Sequence, residues 1–298
     1  MNNVKDLQTI EETLKYLQFD NWEQSAPGLA RSRELLGLLG NPEQKLKFVH
    51  IAGTNGKGST AAMLASVLQH AGYRTGLYTS PHLLRFHERM RVNGEEIDDN
   101  SLISLTNTVR NAAERMSEMP TGFEIMTAIA FLYFVQEQCD IVSLEVGLGG
   151  RLDATNVIPS PEAAVITNIG LEHTAILGHT LPEIAREKAG IIKPGTTAVT
   201  YPVNAAVDAV YREICAERGA AWHPAAFDAL QERAHSLAGQ RFDYKGEKDL
   251  TLHLLGEHQL RNAALAVETV NVLREKGWSI PESALREGLS AARWEARF

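Results

Sequence analysis

The sequence predicts an α/β fold in which a mainly parallel sheet is flanked by helices. Short apolar runs alternate with helical patterns along most of the chain, which is typical of a parallel sheet covered on both faces. One apolar run, ending at Ala52, leads directly into a glycine-rich segment and a further helical pattern. The 298 residues are 44% hydrophobic and 22% charged, which suits a globular protein with a large core.

The N-terminal half combines helices and strands. Two helices are expected within residues 1–45, the first over residues 3–19, and the second ends at Gly40-Asn41-Pro42. Strands are expected at 47–52, 75–79, 140–146, 163–168 and 196–200. Residues 89–92 precede Asn93-Gly94, a dipeptide that favours the type I′ turn of a β-hairpin. Three helices are expected here: one after the glycine-rich segment, one that begins near Asp98, and one at residues 123–135.

The C-terminal half continues the alternation. Helices are expected at 182–190, 205–218, 258–276 and 281–292. The first has proline at its start and glycine past its end, as helices commonly do. Residues 223–250 are polar, and their pattern leaves an extended or a hairpin segment open.

Composition excludes several classes of protein. The formal net charge of −8 argues against a nucleic-acid partner, because protein surfaces that bind nucleic acids are usually basic. The two cysteines, Cys139 and Cys215, have neither zinc-site spacing nor a disulfide framework. The N-terminus is too polar for a signal peptide, and no apolar run reaches the roughly 18 residues that a membrane span requires. We therefore expect a cytoplasmic protein without membrane contact.

The glycine-rich segment is Gly53-Thr54-Asn55-Gly56-Lys57-Gly58-Ser59. A turn of this kind directs backbone N–H groups at an anion, the following helix adds its positive end, and Lys57 adds a charge. The segment departs from the standard phosphate loop in its shorter spacing and in having Gly58 where a serine or threonine usually binds Mg²⁺. The alternative is a strand-to-helix turn that binds nothing.

Three further side chains follow predicted strands and would face the same crevice, since ligands of parallel sheets bind at the carboxyl ends of the strands. Glu145 ends an apolar strand and offers an oxygen ligand that suits Mg²⁺. Ser80 could supply the hydroxyl missing at Gly58, and His173 follows another strand after a short loop. The alternatives are an exposed glutamate, an ordinary turn serine and a structural or solvated histidine.

Lys188 lies in the last turn of a predicted helix. A lysine there gains roughly 0.3–1 kcal/mol from the helix dipole, so its position requires no other role. From the pattern alone, this structural role stays open beside a functional one.

Several motifs together resemble those of the folylpolyglutamate synthase and dihydrofolate synthase family, a branch of the Mur-type peptide ligases. The resemblance extends from about residue 25 to residue 298, and the order and spacing of the motifs make it specific. The motifs are the segment 53–59, Ser80-Pro81-His82-Leu83, Leu144-Glu145-Val146-Gly147-Leu148-Gly149-Gly150-Arg151-Leu152-Asp153-Ala154-Thr155-Asn156 and Arg186-Glu187-Lys188-Ala189-Gly190-Ile191.

The resemblance implies a fold and a nucleotide site. Residues 1–298 would form one ATP-binding domain, the central domain of a Mur ligase with a P-loop NTPase-like sheet, preceded by the helices within residues 1–45. The backbone from Gly53 to Ser59 and the side chain of Lys57 would hold the ATP phosphates. Asn262 and Arg297 would contact the nucleotide.

The resemblance also implies metal and acceptor sites. Ser80 and Glu145 would bind one Mg²⁺, and Glu145 and His173 a second. Lys188 would be carbamoylated, so that Lys57, Lys188 and His173 form the catalytic set. The residues implied near the pterin of the substrate are Phe123, Leu152, Asp153 and Ala154.

The implied reaction is ATP-dependent amide formation by a monomeric enzyme. A carboxylate of a folate or of dihydropteroate would attack the γ-phosphate, and L-glutamate would then attack the acyl phosphate. Which of the two acceptors is used stays open. One alternative is a Mur-type ligase acting on a cell-wall precursor, and another is an ATP-binding fragment without catalytic activity.

Two departures from the family pattern occur at the C-terminus. The family usually has Pro-Gly-Arg-Phe where this chain has Glu295-Ala296-Arg297-Phe298. The family's smaller C-terminal domain, which contributes glutamate and nucleotide contacts, is expected to be absent after residue 298.

Overall fold

A parallel sheet forms the centre of the computed structural model, which describes residues 6–18 and 28–294. Its strands within these residues are β1 (Phe48–Ala52), β2 (Thr75–Tyr78), β3 (Met90–Val92), β4 (Glu95–Glu96), β5 (Ile141–Glu145), β6 (Ala163–Ile166), β7 (Thr197–Thr200) and β8 (Ala221–Pro224). Their order is β4-β3-β2-β5-β1-β6-β7-β8. Six strands, β2, β5, β1, β6, β7 and β8, are parallel to one another, whereas β3 and β4 form an antiparallel edge next to β2.

Helices cover both faces of this sheet. They are α1 (Ile10–Leu17), α2 (Ala30–Leu38), α3 (Lys57–His70), α4 (Asp99–Ala113), α5 (Gly122–Gln136), α6 (Thr174–Leu177), α7 (Leu181–Lys188), α8 (Ala205–Arg218), α9 (Glu257–Glu275) and α10 (Glu282–Ala291). Helix α3 contacts α9 and α10, α4 contacts α5 and α1, and α7 contacts α8.

The alternation of side chains along β1 divides the core. Val49 and Ile51 pack on the side of α3, α9 and α10. Phe48 packs on the opposite side with residues of α4 and α5, and Ala52 with residues of α7 and α8. Because β1 lies between β5 and β6, the segment that follows it emerges at the middle of the sheet.

A second, antiparallel sheet covers part of the α9 and α10 side. It contains β9 (Leu230–Ser236), β10 (Gly239–Tyr244) and β11 (Glu247–Leu252). Phe242, Tyr244, Leu250 and Leu252 are fully buried and join the core on that side. The region left open as extended or hairpin therefore folds as this sheet and the edge strand β8.

The predicted fold class is confirmed, as is the hairpin at Asn93-Gly94, where both residues have positive φ values of 50° and 85°. The predicted start of the first helix is wrong for the described residues. Thr9 caps α1 and exchanges hydrogen bonds with Glu12, so the helix begins at Ile10 although the apolar spacing extends further back. The short helix α6 and strand β8 were not predicted.

Candidate active site

The segment 53–56 connects β1 to α3 at the centre of the sheet, and its glycines are required by the geometry. Gly53 has a φ of 149°, and a Cβ there would lie 1.7 Å from the Thr167 hydroxyl oxygen. Gly56 has a φ of 85° and caps the N-terminus of α3. A residue with a side chain could not adopt this path without strain.

The loop is anchored to the segment that follows β6. The Thr54 N–H donates to the Asn168 carbonyl at 2.7 Å, and the Thr167 hydroxyl donates to the Asn55 carbonyl at 2.7 Å. The Thr54 hydroxyl exchanges hydrogen bonds with Gly170. These bonds fix the loop before any ligand binds.

Lys57 is the first residue of α3, and its side chain curls over the loop. Its ammonium donates to the carbonyls of Gly53 at 2.9 Å and Thr54 at 3.1 Å. The positive charge therefore lies where the N-terminus of α3 already favours an anion. This geometry fits the predicted phosphate-binding loop, which is called the phosphate loop below.

Helix α9 and the following chain close the outer side of the loop. Gln259 donates to the Ser59 hydroxyl at 3.2 Å, and the Asn262 amide lies 2.5 Å from the position that a Cβ of Gly56 would occupy. The Trp294 ring approaches Gly58 so closely that a Cβ there would lie 2.8 Å from it. The indole therefore leaves little room for a side chain at position 58, where the standard loop carries a hydroxyl.

Lys188 is 1% exposed, and its head group lies at the phosphate loop. Its ammonium donates to the Gly53 carbonyl at 2.9 Å and pairs with the Glu172 carboxylate. Burial lowers the pKa of Lys188, although Glu172 opposes this effect. Burial would raise the pKa of Glu172, but the hydrogen bond and charge of Lys188, with the charge of Lys57, lower it overall.

Ser80 and Glu145 meet beside the loop, at the ends of β2 and β5. The Ser80 N–H donates to a Glu145 carboxylate oxygen at 3.1 Å, and Glu145 is 4% exposed. The buried carboxylate of Glu145, held by the residue that also carries the Ser80 hydroxyl, fits Mg²⁺, which commonly takes one or two carboxylates with substrate phosphates and water. Among the described residues, no group of three or more His, Cys, Asp or Glu side chains is arranged to hold a metal by itself.

His173 is placed differently. It precedes α6 in a left-handed conformation with a φ of 43°, and its side chain is exposed. Its neighbour Glu172 carries the contact with Lys188. The role of His173 as a metal ligand stays a prediction.

The residues predicted near the acceptor lie on the loop after β5 and at the start of α5. Phe123 packs against Gly147, where a Cβ would lie 2.4 Å from the ring. Asp153 is buried and accepts hydrogen bonds from the Leu148 N–H and the Thr155 hydroxyl, so it shapes the loop. Burial raises the pKa of Asp153, and these hydrogen bonds oppose the effect. Leu152 is 38% exposed and Ala154 is buried.

Comparison with known proteins identifies the family. The Mur ligase middle domain matches residues 51–270. A dihydrofolate synthase/folylpolyglutamate synthase of Bacillus subtilis is 45% identical over 287 residues, covering 91% of this chain and 65% of the relative. A folylpolyglutamate synthase of Lacticaseibacillus casei is 38% identical over 304 residues, covering 96% and 69%. The chain belongs to the folylpolyglutamate synthase and dihydrofolate synthase family of Mur ligases.

Solved structures of this family have the same fold. The apo form of the L. casei synthase has a TM-score of 0.91 and 38% identity, covering 97% of this chain and 73% of that chain. A complex of FPGS, a folylpolyglutamate synthase, with AMPPCP and folate has the same TM-score, identity and coverage. The chain thus spans about two thirds of the curated relatives' length, 65% of the first and 69% of the second.

The structure brings most of the predicted site residues to one edge of this family's central sheet. Lys57, Lys188 and Asn262 lie at the phosphate loop, and Ser80 contacts Glu145. Arg297 lies outside the described residues. No helix among residues 6–18 and 28–294 is long and apolar enough to cross a membrane.

Three residues that organise the site of this family member were not predicted from the sequence. Glu172 pairs with Lys188, Thr167 holds Asn55, and Gln259 holds Ser59. For Glu172 a signal existed, since it adjoins His173 and follows β6. Thr167 and Gln259 act through contacts across the fold, which no local pattern reveals.

Proposed function

We propose that the protein containing this chain ligates L-glutamate to a folate or to dihydropteroate, using ATP. The observation that carries the proposal is the convergence of Lys57 and Lys188 on one carbonyl of the phosphate loop. The relatives named folylpolyglutamate synthase and dihydrofolate synthase support this choice of substrates. A cell-wall acceptor has no comparable support among these relatives.

The phosphate loop would receive the ATP phosphates. Lys57 would exchange its bonds to the loop carbonyls for phosphate oxygens, and the N-terminus of α3 would add its positive end. Asn262 and Arg297 would contact the nucleotide. Phosphoryl transfer demands mainly positioning and charge neutralisation, which these groups supply without a nucleophilic side chain.

Ser80, Glu145 and His173 would hold two Mg²⁺ ions. The ions would neutralise the negative charge of the phosphates during transfer. The buried carboxylate of Glu145 is the part of this set that the fold fixes, through the Ser80 N–H.

The acceptor carboxylate would attack the γ-phosphorus, and the bond between that phosphorus and the bridging oxygen would break to release ADP. The amino group of glutamate, after losing a proton, would attack the acyl carbon, and phosphate would leave. Phe123 and the Leu152-Asp153-Ala154 turn would position the pterin.

Lys188 would act as a carbamate in the loaded enzyme. Carbamoylation requires the neutral amine, and burial lowers the pKa of Lys188 toward that form. The product is an anion, so nearby Mg²⁺ would favour it. A protein isolated with bicarbonate and Mg²⁺ should show a mass increase on the peptide containing Lys188 under non-acidic conditions.

The decisive experiment measures glutamate incorporation by the full-length protein. ATP, Mg²⁺ and labelled L-glutamate are supplied with tetrahydrofolate, with dihydropteroate, or with a muramoyl-peptide precursor. Incorporation with either pterin acceptor supports the proposal and identifies the acceptor. Incorporation only with the cell-wall precursor, or none at all, contradicts it. We further expect the protein to be monomeric and cytoplasmic, and sedimentation would test the former.

A further inference from the structure

Arg89 is a half-buried cation beside the candidate site, and no ion pair joins it to a carboxylate among residues 6–18 and 28–294. It ends a short 3₁₀ helix, Phe86–Arg89, in the loop that follows β2. Its Nε donates to Nδ1 of His82 at 2.8 Å, and its guanidinium lies 5.6 Å from the centre of the Phe86 ring. No carboxylate in the described part of the chain forms an ion pair with it, whereas its neighbours Arg85 and Arg91 both pair with Glu96.

This arrangement is energetically unfavourable without a ligand. Removing a cation from water costs free energy unless an anion compensates. Burial lowers the pKa of Arg89, and the side chains of Tyr78, Glu145 and Glu88 oppose the effect only in part. The Thr79 N–H donates to the Arg89 carbonyl, and the next residue, Ser80, contacts Glu145 at the end of β5, so Arg89 belongs to the same edge of the sheet as that pair.

The loop that carries Arg89 is held in place without a ligand. The Thr79 N–H donates to the Arg89 carbonyl at 3.1 Å. The Glu88 carboxylate accepts from the backbone N–H groups of residues 83, 84 and 85. The guanidinium is therefore preorganised, and His82 occupies only Nε, leaving the two outer nitrogens available.

The strand order decides which anion this guanidinium faces. The phosphate loop follows β1, Glu145 ends β5, and Arg89 lies in the loop after β2, with β5 between the other two strands. Lys57 and the loop backbone already serve the phosphates. Arg89 therefore belongs to a loop separated from the phosphate loop by β5, so it is placed to serve a different anion from the ATP phosphates.

We propose that Arg89, oriented by His82, binds the acceptor carboxylate that becomes phosphorylated. The inference rests on the proposed function and names the residue that recognises the reacting group. A guanidinium fork matches the two oxygens of a carboxylate, which a lysine ammonium does not. Arg89 would bind one lone pair on each oxygen of the carboxylate. One of these oxygens would then attack the phosphorus with its other lone pair.

The first test measures steady-state kinetics of the full-length protein. Arg89→Gln should raise the KM for the acceptor about 10- to 100-fold, the range expected for loss of a charged hydrogen bond, and leave the KM for ATP unchanged. Arg89→Lys should retain part of the affinity. Arg85→Gln, an exposed arginine of the same loop, is the matched control and should behave like the wild type.

The second test measures binding with AMPPCP present, using folate, its γ-amide and its α-amide. Arg89→Gln should weaken the binding of folate and of the α-amide equally, because both carry the γ-carboxylate that would be phosphorylated. It should leave the binding of the γ-amide unchanged. Equal weakening of all three ligands would indicate a merely structural role. Weakened binding of folate and the γ-amide, with no effect on the α-amide, would mean that Arg89 binds the α-carboxylate instead. Either result, or a raised KM for ATP, overturns the inference.

These outcomes are separable from failure of the proposed function. If the wild type ligates no pterin acceptor, the function itself is wrong and the inference falls with it. If the wild type ligates glutamate and Arg89→Gln does so with the same acceptor KM, only the inference is wrong. Thermal unfolding of each variant verifies that the protein is folded.

Discussion

The ammonium of Lys188 lies 2.9 Å from the carbonyl oxygen of Gly53, although the two residues are 135 positions apart in the chain. Lys57 donates to the same carbonyl at 2.9 Å. Two lysines thus meet at one loop atom, and Glu172 compensates one of them. One positive charge is left uncompensated among these three side chains, and it favours a bound phosphate.

Lys188→Ala should reduce glutamate ligation by the full-length protein on the order of 10²- to 10³-fold, as removal of one electrostatic contact to a transition state commonly does. Activity assays with added small molecules identify the form in which Lys188 acts. Short carboxylic acids such as acetate should restore part of the activity if Lys188 acts as a carbamate. Restoration by methylamine instead would show that the ammonium is the active form, and a wild-type rate would leave only the helix-dipole role.

Lys57→Ala should remove most ATP turnover, because Lys57 supplies the side-chain charge at the N-terminus of α3. The measurement is ADP release by the full-length protein in the presence of both co-substrates. Lys45→Ala is the control, since Lys45 is exposed. Ligation by Lys57→Ala at the wild-type rate would show that the phosphate-loop assignment is wrong.

The sequence was sufficient for the elements that depend on local patterns. The strands leading to Ala52 and Glu145 are short apolar runs, and the hairpin follows from Asn93-Gly94. The predicted start of α1 is wrong because a capping box at Thr9 begins the helix at Ile10, although the apolar periodicity extends toward the N-terminus. Strand β8 escaped prediction because it is an edge strand and its residues are mostly exposed or half-buried.

Type and motif were enough to predict candidate site residues, but not the contacts that these residues make. The motif around Lys188 gave no sign that its head group would contact Gly53 or Glu172. The sequence around Gly58 likewise gives no sign that Trp294 occupies the space next to it. Such contacts join distant segments and are set by the packing of α3, α7 and α9 around the sheet.

Gly53→Ala should destabilise the protein by about 1–3 kcal/mol, the usual cost of forcing atoms into a packed core. A Cβ at Gly53 would lie 1.7 Å from the Thr167 hydroxyl oxygen, and the φ of 149° adds strain. Urea unfolding measures the loss, and nucleotide titration should show weakened binding. Gly246→Ala is the matched control because no atom lies within 4 Å of its Cβ position. Equal stability of both variants would contradict the described loop geometry.

Glu172→Gln should lower stability at neutral pH and flatten its decline in acid. Glu172 has a lowered pKa in the folded protein, so its carboxylate contributes stability above the pKa of the unfolded chain. This contribution is lost as the pH falls through the lower, folded-state pKa. The glutamine variant leaves Lys188 buried without its counter-charge at neutral pH, where the difference from the wild type should be largest.

Urea unfolding at pH 7 and at successively lower pH values tests this expectation. The gap between wild type and Glu172→Gln should narrow as the pH falls below the ordinary glutamate pKa of about 4.3. Glu287→Gln is the control, because Glu287 is exposed and forms no ion pair within the described residues. A gap that stays constant with pH would mean that the Glu172 carboxylate is not held by Lys188, and the electrostatic account of the loop would then fail.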